Sequence, residues 1–152
     1  MIAVGERTGA RAPTRSVLDA SVTSRWFIPE QATETTEMLL DLVRRADGEP
    51  LAPAPFIVPE VFFAEVMSAV TKQCRGAALL GSCATTIARL PMDRVPWART
   101  PIDRYLELLG QRVGAYDAIY AAIAVEEGVP LITADAGLAR ALREPPWVVL
   151  VE

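Results

Sequence analysis

Histidine is absent from this chain of 152 residues, and lysine occurs once, at Lys72. Without histidine there is no serine–histidine–aspartate arrangement, no imidazole general base and no ordinary zinc site. The two cysteines, Cys74 and Cys83, lack metal-type spacing. A pair cannot make a disulfide framework in a chain of this size, so both are expected reduced and partly buried. No glycine-rich phosphate loop is present. No apolar run approaches the ~20 residues of a membrane span. The opening stretch "MIAVGERTGARAPTRS" has no apolar core of the kind a secretory signal needs. A cytoplasmic protein with no membrane association is therefore expected. The groups left for chemistry are carboxylates, hydroxyls and two thiols. Hard oxygen donors of this kind favour Mg²⁺ or Mn²⁺.

What is present fits one well-cored domain. Hydrophobic residues make up 51% of the chain, and a chain of this length can bury about two-thirds of its unfolded surface. Short apolar runs predict strands at 16–21, 54–59, 93–97, 129–133 and 147–152. Amphipathic or alanine-rich stretches predict helices at 30–48, 60–76, 76–91, 100–114, 116–128 and 134–144. Thr100 is expected to cap the helix that follows it, with Pro101 at the first helical position. Gly128 suits a helix C-terminal cap. Alternation of strand and helix argues for an α/β layer structure on a mostly parallel sheet. Residues 1–15 are expected to be a flexible N-terminal extension, and 16–152 a single domain.

Four acids stand out. Ligands of an open parallel sheet bind at the carboxyl ends of its strands. Asp19 ends the first predicted strand, and Asp135 follows "LIT" at 131–133. Asp117 opens a helix. Glu65 lies inside "FFAEVMSAV", with Val61 and Ala69 one helical turn away. A carboxylate on an apolar face needs compensation. Simpler accounts exist for each: Asp19 as a turn cap, Asp117 as a helix-dipole partner, Asp135 as a helix cap, Glu65 as half of a buried pair with an arginine. One divalent cation at the carboxyl edge of the sheet would account for all four together. With these four set aside, 15 acids remain against 15 basic residues, so the net acidity does not exclude an anionic substrate.

The segments "VLDASVTSRWFIPE" (17–30), "VPEVFFAEVMSAV" (58–70), "AYDAIYAAIAVEEGVPLITAD" (115–135) and "WVVLV" (147–151) carry a family resemblance. The chain resembles the PIN-domain ribonucleases, and among them the VapC-type toxins of bacterial toxin–antitoxin pairs, over nearly its whole length. The third segment is the most specific, because order, spacing and context agree. The resemblance implies a three-layer α/β/α sandwich with a central, mostly parallel sheet and acids that bind Mg²⁺ or Mn²⁺, as one ion or two. Asp19, Glu65, Asp117 and Asp135 fall on the family's acids, and Thr133 on a hydroxyl that supports them. Ser21 is expected to act likewise. Ser68 stands where many relatives carry asparagine, and is counted as a supporting residue. The extra N-terminal stretch is the other departure.

The resulting expectation is an endoribonuclease toxin that hydrolyses single-stranded or loop RNA by metal-activated water. A homodimer and a cognate antitoxin, whose C-terminal segment fills the acidic groove, are implied with it. Arg25 and Arg112 are candidates for phosphate contact, and Trp26 is read as a packing residue. The rival reading is a PIN-like interaction module with little or no nuclease activity. A receiver-like phosphoacceptor needs a lysine after the last strands, and Lys72 lies in the wrong element.

Overall fold

The computed structural model describes residues 15–49 and 53–152. All but the last residue of the expected 1–15 extension lies outside them. That last residue, Arg15, is tied down: its guanidinium pairs with Asp93 and its Nε donates to the Ala54 carbonyl at 3.4 Å.

Five strands form one sheet: β1 (Ser16–Leu18), β2 (Phe56–Pro59), β3 (Asp93–Val95), β4 (Leu131–Thr133) and β5 (Val148–Leu150). Their spatial order is β3-β2-β1-β4-β5, and every neighbouring pair is parallel. The sheet is thus wholly parallel rather than mostly so. The helices are α1 (Ala20–Thr23), α2 (Glu34–Asp47), α3 (Val61–Gln73), α4 (Ala77–Arg89), α5 (Ile102–Gly110), α6 (Ala115–Glu127) and α7 (Ala136–Ala141). Parallel crossovers are right-handed in almost all proteins. From β1 the chain steps outward to β2 and β3, then returns to β4 and β5 on the other side. Right-handed crossovers therefore place α1–α4 on one face and α5–α7 on the other, giving three layers.

The inner strands β1, β2 and β4 are buried along their whole length. Strands covered on both faces read as continuous apolar runs rather than alternating ones, as "FIV" and "LI" do here. Val17, Leu18, Ile57, Phe62, Tyr120, Ile123 and Leu131 are among the fully buried side chains of the core. α6 is buried along most of its length, from Ala118 to Ala124. Its alanines permit close approach to the sheet, which explains the run "AIYAAIA".

Helix boundaries follow capping chemistry. α2 begins at Glu34, not at residue 30, because Pro29–Gln31 form a 3-10 turn and Thr33 is the N-cap. The Thr33 hydroxyl accepts from the Thr36 N–H, and Thr36 Oγ1 accepts from the Thr33 N–H at 2.8 Å. Trp26 donates from Nε1 to the Thr36 carbonyl at 2.7 Å, so it packs against the start of α2. Thr100 does not cap α5. The cap position is Pro101, which offers no side-chain acceptor, and Thr100 is buried behind it. α6 ends at Gly128, whose φ of 64° is left-handed. Gly128→Ala is expected to lower stability by about 1–2 kcal/mol, the cost of holding a Cβ in that region, read as a shift in urea midpoint.

Candidate active site

The sheet changes direction between β1 and β4. At such a switch point two crossovers leave on opposite sides and open a crevice at the carboxyl ends of the strands. Asp19 follows β1 directly, and Thr133 is the last residue of β4. The register pairs Leu18 with Ile132, and the Asp19 N–H donates to the Ile132 carbonyl at 2.9 Å. Asp19 and Thr133 are thereby brought side by side.

Asp19 occupies the N-cap position of α1, but its carboxylate does not cap the helix. Oδ2 instead accepts from Ser21 Oγ at 2.5 Å and from Thr133 Oγ1 at 2.7 Å. Both hydroxyls are in turn held by backbone. The Ala134 N–H donates to Ser21 Oγ, and the Asp135 N–H donates to Thr133 Oγ1, each at 3.0 Å. Asp19 is only 6% exposed. Burial pushes its carboxyl above the usual aspartate range; the two hydroxyls oppose this and the charge of Asp135 adds to it.

Glu65 is half-buried on α3, and its partner is neither an arginine nor solvent alone. The Tyr120 hydroxyl, fully buried on α6, donates to Glu65 Oε2 at 2.6 Å. This charge-assisted bond links helices of opposite layers. Burial raises the carboxyl of Glu65, Tyr120 lowers it, and the charges of Asp19 and Asp117 raise it again. Tyr120 was not singled out from sequence. The available signal was its place three residues after Asp117, which puts both on one face of α6.

Asp117 lies in the first turn of α6, half-buried. Burial, then the charges of Asp19 and Asp135, push its carboxyl up to about 6. Asp135 is exposed and does cap its helix. Oδ1 accepts from the N–H groups of Gly137 at 2.7 Å and Leu138 at 3.1 Å. A Cβ at Gly137 would come within 2.9 Å of that oxygen, a contact that a small turn of the Asp135 carboxylate relieves. Ser68 is exposed one turn beyond Glu65 and makes no hydrogen bond to the acids. Arg25 is half-buried, Arg112 is exposed at a left-handed φ of 65°, and neither forms an ion pair among the described residues.

Asp19 and Asp117 thus lie within electrostatic reach of each other, of Glu65 and of Asp135. The ion pairs of the described residues, Arg15–Asp93, Arg44–Asp41 and Arg104–Glu107, all lie elsewhere. An oxygen-only, anionic donor set without a neutralising side chain fits Mg²⁺ or Mn²⁺. Among the described residues no three acids are drawn into one ready-made ligand group. The fit is therefore one of donor chemistry and charge, not of a closed cage.

The PIN domain family model matches residues 16–143. The chain belongs to the PIN domain family. Comparison with curated proteins gave no match. Among solved structures the fold is similar to a chain in the crystal structure of VapBC2 from Rickettsia felis bound to a DNA fragment from their promoter. That likeness has a TM-score of 0.60 and 15% identity, and covers 90% of this chain and 96% of that one. PIN domains are generally nucleases, and the acids of this PIN domain stand where its sheet topology opens a crevice.

Two outcomes follow for the metal-free protein. A carboxyl raised from about 4 unfolded to about 6 folded disfavours folding once it ionises. The contribution of this group is fully present below about pH 4 and is lost as pH rises from there through 6. No histidine titrates in this window, and Asp19 and Glu65 shift in the same direction. In EDTA the melting temperature should be higher at pH 5 than at pH 7, and Asp117→Asn should remove much of the difference. Tyr120→Phe leaves Glu65 without its donor and should cost about 1 kcal/mol at pH 7 in urea unfolding.

Proposed function

We propose that this PIN domain is a divalent-metal-dependent endoribonuclease, the toxin of a toxin–antitoxin pair. The reading rests on one observation: Asp19 and Asp117 lie within electrostatic reach of each other, of Glu65 and of Asp135, and among the described residues no cationic side chain is paired with any of the four. These four would hold Mg²⁺ or Mn²⁺, which would lower the pKa of water and stabilise charge developing on the phosphate oxygens. Ser21 and Thr133 fix Asp19 through hydroxyls that are themselves bonded to backbone amides. Tyr120 fixes Glu65. Such preorganisation matters because a misplaced ligand loses much of its effect.

The chain offers no histidine to deprotonate a ribose 2′-hydroxyl. Water is the simpler nucleophile. Its oxygen bonds to phosphorus, the bond from phosphorus to the 3′-oxygen breaks, and the products carry a 5′-phosphate and a 3′-hydroxyl. The proton the water releases passes to solvent, and the departing 3′-oxygen takes one up. Arg25 and Arg112 are assigned to substrate phosphates. The partners proposed are single-stranded or loop RNA, a cognate antitoxin and a second copy of the chain. The fold likeness to a chain of a VapBC2 complex supports the antitoxin. Among the described residues no helix is long and apolar enough to cross a membrane, and the cytoplasm is the proposed place of action.

RNA cleavage should require Mg²⁺ or Mn²⁺ and stop in EDTA. Asp19→Asn, Asp117→Asn and Glu65→Gln should each lose about a hundredfold or more in single-turnover rate. Glu34, on an exposed face of α2, should be dispensable. End-group analysis decides the route: cyclic 2′,3′-phosphate products, or full activity in EDTA, refute it. Absence of cleavage with either metal favours the interaction module. Added metal should also raise the melting temperature, less in Glu65→Gln than in the unaltered chain.

A further inference from the structure

A small cavity opens on the same edge of the sheet, beside the acids. Its volume is about 210 Å³. Pro59, Val95 and Ile119 give it apolar walls, Glu60 and Thr100 add polar atoms, and Trp97 forms one side. Its place relative to Asp19 follows from register. Val17 pairs with Ile57, so Asp19 lies level with Pro59, and Pro59 pairs with Val95. Two strand spacings separate Asp19 from Val95, roughly 10 Å. The cavity also adjoins both acid-bearing helices: Val61 precedes Glu65 by one turn of α3, and Ile119 follows Asp117 on α6.

Trp97 is 51% exposed, yet it is held firmly. Its backbone N–H donates to Glu60 Oε2 at 2.8 Å, and Tyr105 meets its ring edge-on at a centroid distance of 5.4 Å. The 3-10 turn Trp97–Arg99 closes through the Arg99 N–H on the Pro96 carbonyl. The Glu60 N–H donates to the Val95 carbonyl at 3.0 Å, which joins the end of β3 to the start of α3. A large aromatic fixed at the surface and left half uncovered is a stacking platform.

We propose that Trp97 and this cavity form a nucleobase subsite, which receives a base flanking the phosphate held at the acids. This rests on the nuclease reading for the identity of its ligand. The occupant is a base rather than a phosphate because no cation among the described residues lines the cavity and the Glu60 carboxylate repels anions. Stacking on an aromatic side chain tolerates different bases and strengthens binding of unpaired RNA. The subsite therefore sets where an unpaired strand sits relative to Asp19.

Abasic scanning tests this. Labelled oligoribonucleotides, each lacking one base near the cleavage position, are bound in Ca²⁺, an oxygen-preferring cation that neutralises the acids, and followed by fluorescence anisotropy. One position should weaken binding to the unaltered protein about tenfold. Trp97→Ala should weaken the intact oligonucleotide by the same factor, and removing that base should then add nothing. Trp97→Phe should keep most of the affinity. With Mg²⁺, Trp97→Ala should raise KM and leave kcat within about twofold. Equal abasic penalties in the unaltered protein and Trp97→Ala overturn the proposal. So does a Trp97→Ala protein that binds RNA normally but loses a co-expressed protein partner, which assigns the cavity to that partner. RNA that binds through Trp97 but is not cleaved supports the subsite and retires the nuclease reading.

Discussion

A carboxylate at the end of the central strand must be kept out of bulk water and still remain usable. Asp19 meets this demand through one oxygen that takes two hydroxyl donors, from Ser21 and Thr133. The arrangement depends on β1 and β4 being neighbours in register, since Thr133 is 114 residues from Asp19. It also depends on the amides of Ala134 and Asp135, which hold the hydroxyls in place as the chain leaves β4. The β1–β4 pairing is thus both the middle of the sheet and the foundation of the site. Any shift in that register would move Thr133 away from Asp19.

The other acids are placed by the helical layers, and electrostatics works against their assembly. Two unit charges at 4 Å repel by about 4 kcal/mol at an effective dielectric of 20. Spacing the acids out limits this repulsion, and what remains raises the carboxyls of Glu65 and Asp117. The Glu65–Tyr120 bond contributes by joining α3 to α6 across the edge of the sheet. Asp135 stays exposed and uses one oxygen on its own helix. Three are thus held by different means: Asp19 by hydroxyls, Glu65 by a phenol and Asp135 by the backbone of its own helix. A cation entering such a site replaces repulsion with attraction, which makes metal binding and stability two views of one quantity.

The fold persists at 15% identity to a chain of a VapBC2 complex, and a fold of this kind can host many activities. What this chain brings to the fold lies in its side chains: no histidine, a tyrosine on the helical glutamate, and an anchored, half-exposed tryptophan beside the crevice.

Element order was legible in the sequence, and so was the placing of the four acids after strands or on helices, because both depend on local or near-local pattern. Apolar runs bounded by proline and glycine marked the strands, and Gly128 marked the end of α6. Helix starts were less legible. The expected start at residue 30 moved to Glu34 behind Thr33, and the expected cap at Thr100 moved to Pro101, because only the hydrogen bonds of the folded chain separate a real cap from a residue of the right type. The compensation of Glu65 was not legible at all. Its partner is 55 residues away in sequence, and no spacing rule links one helix to another across a sheet. By itself the sequence determined which groups are available and that they follow strands or open helices. Tertiary structure alone decided which of them meet, because strand register and crossover direction arise from packing the whole chain at once.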